Sequence, residues 1–301
     1  MGSISERVYI KFASDDKPQE PTSTLVLTLP SGNFIDTRIL RSASDCYQVK
    51  GTGISGYSKA VGGIEDLDWA FAGVSTARNL SWNEVRKEME RMKLTVDESL
   101  LSAITVRGGG DKTLDSVKET KELTLAEQHI GTARSCSWSH VIDSRVIVGK
   151  VAEALDQGIM FPTDIEGEEL ERGGMLNPTT SHWEDYEELW RDIGITNPPW
   201  MHHKSVYWCC ELQDSEYGSA KAVFIRIGQY AQGILAGKGW VRVERWEADF
   251  ERKLWNCVAR VGSSSINEES RFHILLKREN TCSSRWTEID GIRWEMTEVY
   301  S

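Results

Sequence analysis

The residue pair best suited to acid–base chemistry is His140 and Asp143, which lie three positions apart in the segment 138–144, WSHVIDS. A histidine near a carboxylate can take up or release a proton near neutral pH, so the pair is a candidate for general acid–base catalysis. The alternative is a histidine whose hydrogen bonds are satisfied at the end of a strand. We predict that this pair transfers the proton in any reaction that the protein catalyses.

The chain has 12 tryptophans in 301 residues, most of them in short runs typical of β-strands. Several tryptophans together can line an apolar cavity that still offers N–H donors, although each can also fill an ordinary core. Arg226 is predicted to act with Tyr230 and Trp246 in orienting a substrate. The full set of predicted substrate-binding residues is Trp69, Trp82, Trp138, Tyr230, Trp246 and Trp294.

Motifs for cofactors and metals are weak. The segment 51–56, GTGISG, matches the glycine pattern of dinucleotide-binding folds, but no helix that could hold a pyrophosphate follows it. The segment 108–113, GGGDKT, has its first glycine misplaced for a phosphate loop. The six cysteines form no CxxC pair, and we interpret them as reduced. We predict no cofactor and no metal, and we interpret the acidic residues between 164 and 171 as a solvated turn.

Charge excludes some partners. The net charge is −11, and no dense cluster of lysine and arginine is present to follow a phosphate backbone. We therefore expect neither nucleic acid nor an anionic membrane as a partner. The first residues lack the pattern of a signal peptide, and no segment is long and apolar enough to span a bilayer, so we expect a cytoplasmic protein.

The elements that must position these residues are mainly strands. Short runs of β-forming residues alternate with turn formers through the first seventy residues and again beyond residue 205. Two segments, Ser81–Glu84 and Ser181–Glu184, have the form of a capping box and predict helices. The first helix begins an insertion from about 78 to 130, and the second is predicted to be a short linker.

This order of elements predicts a mainly β protein with two consecutive antiparallel barrels. We place an N-terminal barrel with the helical insertion at residues 1–152 and a C-terminal barrel at residues 153–301. The sequence lacks the regular alternation of strands and helices that a parallel sheet requires.

Six segments in the same order resemble the fungal Hri-type proteins, a family whose yeast namesake interacts with a casein-kinase-type kinase. The resemblance implies two lipocalin-like β-barrel domains, a possible protein kinase partner and no catalytic residues. The insertion at 78–130 departs from the family. The six segments are 67–73 (LDWAFAG), 138–144 (WSHVIDS), 171–178 (ERGGMLNP), 186–192 (YEELWRD), 225–235 (IRIGQYAQGIL) and 291–300 (GIRWEMTEVY).

Two functions follow as hypotheses. The first is a cofactor-independent cyclase of fungal secondary metabolism, similar to the hetero-Diels–Alderases, which holds a hydrophobic polyketide–terpenoid substrate in register beneath a helical lid. The second is a non-catalytic protein that binds a small molecule or a kinase. An adaptor is expected to expose the apolar stripe of Trp82, Val85, Met89 and Met92, or a comparable patch. A homodimer is compatible with either hypothesis.

Overall fold

The computed structural model describes residues 2–41, 61–95, 133–147, 156–215, 218–262, 271–278, 286–289 and 292–300. The glycine-rich segments at 51–56 and 108–113 lie outside the described residues, as does the part of the predicted insertion beyond residue 95. Strands dominate what is described, which confirms the predicted mainly β fold.

Eight antiparallel strands form a closed barrel in the order β1-β2-β3-β5-β6-β7-β8-β9. Pairing of β1 with both β2 and β9 closes it. Every other residue along each strand points inward, which gives the barrel an interior and an exterior face. The strands are β1 Ser3–Phe12, β2 Thr22–Thr28, β3 Asn33–Leu40, β5 Leu67–Asn79, β6 Arg134–Asp143, β7 Asp156–Pro162, β8 Glu168–Leu176 and β9 Trp183–Asp192.

The barrel therefore includes residues that the sequence assigned elsewhere. The predicted boundary at 152/153 lies outside the described residues, and β7, β8 and β9 beyond it complete the first barrel. The linker helix predicted after Ser181 is wrong, because that segment is strand β9. Tyr186 and Trp190 are four residues apart, a spacing that places both side chains on one face of a helix and equally of a strand. Ser181 lies in a turn with φ 58°.

The second sheet also has eight strands, in the order β15-β16-β10-β11-β12-β13-β14-β4. All its neighbours are antiparallel except the two-residue strand β4, which joins parallel to β14. A closed barrel beside a second sheet is consistent with a two-barrel, lipocalin-like fold. The strands are β4 Val61–Gly62, β10 Ser205–Ser215, β11 Gly218–Ile227, β12 Tyr230–Gly237, β13 Trp240–Asp249, β14 Leu254–Gly262, β15 Trp286–Ile289 and β16 Ile292–Tyr300.

One apolar core joins the two sheets. The outward faces of β2, β3 and β5 pack against β11 to β14 through residues such as Leu27, Ile35 and Ile234. Polar contacts cross the same interface: Arg245 donates to the carbonyl oxygen of Thr37 at 2.9 Å, and Gln232 donates to that of Leu25 at 3.0 Å. The interface is thus buried and hydrogen-bonded.

The described residues also include the α-helices α1 Trp82–Arg91, α2 Ser144–Ile147 and α3 Arg271–Arg278, and a single 3-10 turn at Ile64–Asp66. The capping box predicted for α1 is confirmed, because the Glu84 carboxylate accepts a hydrogen bond from the Ser81 backbone N–H at 2.8 Å. Helix α3 packs Phe272, Leu275 and Leu276 on the face of the second sheet that points away from the barrel.

Helix α1 lies on the outer wall of the barrel. Its buried residues Val85 and Met89 pack on Ile159 and Phe161 of β7, whereas Met160 between these two lines the barrel interior. Helix α1 therefore does not cover the barrel mouth, and the rest of the insertion expected to form a lid lies outside the described residues. The helix does carry the predicted apolar stripe, and this stripe packs on the outer surface of β7.

Candidate functional site

The first barrel encloses a cavity of about 200 Å³. All eight strands contribute to its lining. The cavity opens at the end of the barrel where β1 begins and β9 ends, and the residues at that rim include Ser3, Ser75, Arg134 and Asp192. A barrel of eight strands is just wide enough either to be filled by side chains or to hold one small ligand.

Aromatic rings form much of the wall: Phe34, Trp69, Phe71, Trp138, Tyr186 and Trp190. The guanidinium group of Arg38 lies among them, with its Cζ atom 5.0 Å from the ring centre of Trp69 and 5.9 Å from that of Trp190. These are distances at which a cation is attracted to an aromatic face. The barrel interior therefore already stabilises one buried cation with rings.

Arg38 is held by two carboxylates. Its Nη2 donates to Asp36 Oδ2 at 2.9 Å, and its Nη1 donates to Glu188 Oε1 at 3.1 Å. The same Glu188 oxygen accepts from Arg7, which also binds Glu20 at 2.7 Å. Burial lowers the pKa of Arg38, but its attraction to Asp36 and Glu188 outweighs burial and raises that pKa well above its ordinary value.

Asp36 retains one oxygen without a partner. Oδ2 is bound by Arg38, whereas Oδ1 has no hydrogen-bond partner among the described residues, although the side chain is buried and lines the cavity. Burial raises the pKa of Asp36, and attraction to Arg38 opposes the rise. A buried carboxylate oxygen of this kind is costly unless something donates to it.

Glu171 is the second buried acid of the cavity. It accepts hydrogen bonds from the Tyr186 hydroxyl at 2.6 Å and from the Trp190 indole N–H at 2.9 Å. Burial and repulsion from Glu188 and Asp156 raise its pKa to about 8. Its surroundings therefore favour the protonated form of Glu171 over the ionised form.

The predicted pair of His140 and Asp143 does form. His140 Nδ1 lies 2.7 Å from Asp143 Oδ2, and its Nε2 lies 3.4 Å from Asp156 Oδ2. Burial lowers the pKa of His140, but its hydrogen bond to Asp143 and its attraction to the nearby carboxylate of Asp156 outweigh burial and raise it to about 9. The pair stands behind the cavity wall formed by Trp69 and Phe71, and only Asp156 of the three lines the cavity.

The remaining predicted site residues divide between the two sheets. Trp69 and Trp138 line the cavity. The side chain of Trp82, the first residue of α1, lies outside the described part of the chain.

Arg226, Tyr230, Trp246 and Trp294 belong to the second sheet, so the structure does not bring them to the pair of His140 and Asp143. Arg226 donates to the backbone carbonyl of His203 at 2.6 Å. Trp246 and Trp294 are fully buried in the core beneath α3, and Tyr230 packs at the interface of the two sheets. The geometry therefore contradicts the prediction that these four residues share one site with His140 and Asp143. Alternation along β13 did identify a polar and aromatic face, but that face is covered by α3.

Sequence reasoning missed Asp36, Arg38, Glu171 and Glu188. The interpretation of residues 164–171 as a solvated turn is wrong for Glu168 and Glu171, which lie buried on β8. A signal was present in the alternation of β3, because Asp36 and Arg38 share one face of the strand, and a polar face of this kind can line a cavity.

Among the described residues, no group of three or more His, Cys, Asp or Glu is arranged to hold a metal ion. Cys136 lines the cavity as a free thiol whose pKa burial raises to about 12. Within the same residues, no helix is long and apolar enough to cross a membrane.

The fold and its cavity define a lipocalin-like barrel protein. The chain belongs to the family described as Protein HRI1, which matches residues 3–298. The crystal structure of an uncharacterized protein of Saccharomyces cerevisiae, YLR301w, is similar to it with a TM-score of 0.59 and 14% sequence identity over 100% of both chains. At that identity the similarity concerns the fold alone. No curated protein matches the chain.

Proposed function

We propose that the first barrel binds a small organic ligand in its interior. The observation that carries this proposal is the cavity itself, which is lined by aromatic rings and by a carboxylate with an unpartnered oxygen. An ordinary barrel core would fill this space with aliphatic side chains. Aromatic walls with a few placed polar groups are typical of ligand sites.

The size of the cavity limits the ligand. At about 200 Å³ it is somewhat larger than the apolar cavity of about 150 Å³ that accepts benzene, and smaller than the 300–1,000 Å³ of pockets for drug-sized molecules. A molecule with a single ring fits this space. A fused polyketide–terpenoid product does not.

Paired substitutions on β5 test the site. Ser75 lines the cavity near the rim, whereas its neighbour Thr76 is exposed and pairs with Ser137. Monocyclic fragments should bind the native protein in ligand-observed NMR and quench its tryptophan fluorescence. Ser75→Trp should abolish binding by filling the space, and Thr76→Trp should bind as the native protein does. If both variants bound the fragments equally well, the cavity would be excluded as the binding site.

A second candidate function is an acid-assisted cyclisation of such a ligand. Glu171 favours it, because this acid lines the cavity beside the Tyr186 hydroxyl, and burial and the neighbouring carboxylates raise its pKa. Its proton would pass to a leaving hydroxyl as the C–O bond breaks and water departs. The carboxylate would then recover a proton from a phenol of the same ligand, which leaves a quinone methide for addition to an alkene.

Salicyl alcohol with a vinyl ether tests this candidate. The native protein should speed formation of the chroman adduct, and Glu171→Gln should retain binding of salicyl alcohol but lose the acceleration. His140→Ala should retain most of the acceleration, because His140 stands behind the wall. Equal rates with and without protein would exclude the cyclase.

The adaptor hypothesis receives less support. The apolar stripe on α1, one of the surfaces expected for an adaptor, is not available to a partner, since Val85 and Met89 are packed on β7. A kinase partner of this chain would need a different surface.

A further inference from the structure

We propose that the barrel cavity selects a small organic cation, an amidinium or ammonium group attached to one ring, with Glu171 as the ionic partner. This inference rests on the proposed function and adds the chemical class of its ligand. It follows from which polar groups of the cavity are already engaged and which remain available.

The basic groups of the cavity are engaged. Arg38 is bound by Asp36 and Glu188, and Arg134 at the rim binds Glu169 at 2.6 Å. An anionic ligand would have to displace a buried carboxylate from Arg38, or the partly exposed Glu169 from Arg134. The barrel therefore offers an incoming carboxylate or phosphate no ready partner.

The acidic groups are in excess. Five carboxylates line the cavity, namely Asp36, Asp156, Glu169, Glu171 and Asp192, against the two arginines. Asp36 Oδ1 has no donor, and Glu171 receives only neutral donors, the hydroxyl of Tyr186 and the indole of Trp190. A ligand that donates hydrogen bonds and carries positive charge supplies what these acids lack.

The walls suit a flat cation. The guanidinium of Arg38 already lies between the rings of Trp69 and Trp190, so the interior accommodates a planar, delocalised charge beside aromatic faces. Trp138 and Phe34 extend the aromatic wall on either side. A ring attached to the cation would contact these two residues while the charge faces the acids.

Binding of a cation should expel a proton from Glu171. The groups that face Glu171 are Glu188, Tyr186 and Trp190 from β9, Asp156 from β7, Cys136 from β6 and Arg38 from β3. Of these, Glu188 and Asp156 disfavour its ionised form. A bound cation favours that form, so affinity should rise with pH by roughly tenfold per unit until the pKa of about 8 is reached.

Three matched probes test the inference: benzamidine, benzamide and benzoate, which share one shape and differ in charge. Benzamidine keeps its charge across this pH range. Calorimetry on the full chain at pH 8 should show benzamidine binding at least about tenfold more tightly than benzamide, with benzoate weakest. Benzamide or benzoate binding as tightly as benzamidine would overturn the inference.

Variants assign the partner. Glu171→Gln should weaken benzamidine by at least about tenfold and remove the pH dependence between 6 and 8, because glutamine neither ionises nor carries charge. Glu187 faces outward from β9 and pairs with Arg172. Glu187→Gln should therefore change neither the affinity for benzamidine nor its pH dependence. A flat pH profile in the native protein would exclude Glu171 as the partner.

The two levels of proposal fail differently. Neutral or anionic fragments that bind in the cavity and are blocked by Ser75→Trp would leave the ligand site intact and refute only the cation. Absence of binding by any fragment, charged or neutral, would refute both.

Discussion

The indole N–H of Trp69 donates a 2.9 Å hydrogen bond to Oδ1 of Asp143, a carboxylate whose other oxygen binds His140. One aspartate thereby fixes both a ring of the cavity wall and the histidine behind it. Its pKa is lowered, because the hydrogen bonds from His140 and Trp69 outweigh the effect of burial.

Removal of this carboxylate should therefore be costly. Asp143→Ala leaves a buried indole N–H and a buried histidine without their acceptor, and we expect the free energy of unfolding to fall by about 3–5 kcal/mol. Chemical denaturation measures the change. Asp68→Ala is the control, because its ion pair with Arg145 at 3.1 Å is partly exposed and should contribute less than about 1 kcal/mol. Equal losses in the two variants would contradict the assigned role of Asp143.

The pKa of His140 gives a pH dependence of stability. Its folded-state value of about 9 exceeds the ordinary value of 6.5. The charged histidine thus stabilises the fold fully below about pH 6.5, and this contribution is lost as the pH rises toward 9. NMR titration of the imidazole should report the raised pKa, and Asp143→Ala should lower it. An unshifted pKa in the native protein would contradict the contact with the two aspartates.

Glu171 should destabilise the empty barrel as the pH rises. Its folded pKa of about 8 lies above the ordinary 4.5, so the folded chain retains a proton that the unfolded chain has released between these values. Stability falls over that window by an amount on the order of a few kcal/mol. Glu171→Gln should flatten the fall, measured as urea unfolding at pH 5 and pH 8. An equally steep fall in the variant would show that other groups cause it.

Gly173 has no side chain, and the side chain of Tyr186 occupies the space beside it. A Cβ atom at this position would overlap the Tyr186 ring and hydroxyl, and would disturb the hydrogen bond to Glu171. We expect Gly173→Ala to destabilise the protein by about 1–3 kcal/mol. Gly174→Ala is the matched control, because its Cβ would meet only the side chain of Trp183, which is 62% exposed and can move. Thermal unfolding should show a lower midpoint for Gly173→Ala than for Gly174→Ala. Equal midpoints would contradict the steric role of Gly173.

The sequence predicted the class of fold, the helix at Ser81 and the proximity of His140 to Asp143, because each depends on local patterns. It failed at β9, where Tyr186 and Trp190 have a spacing that fits both helix and strand. It also failed to show which residues lie together around the cavity. Arg226 and Trp246 have the same residue types as Arg38 and Trp69, and only the pairing of strands far apart in the chain decides which set faces a cavity.

The two faces of strand β3 serve different parts of the molecule: one lines the barrel cavity and the other contacts the second sheet. Asp36 and Arg38 face the cavity, while Thr37 between them binds Arg245 and Gln232 of the second sheet. Because Asp36, Thr37 and Arg38 are consecutive residues, a single stretch of backbone carries both the polar groups of the cavity and an acceptor on which the second sheet is anchored.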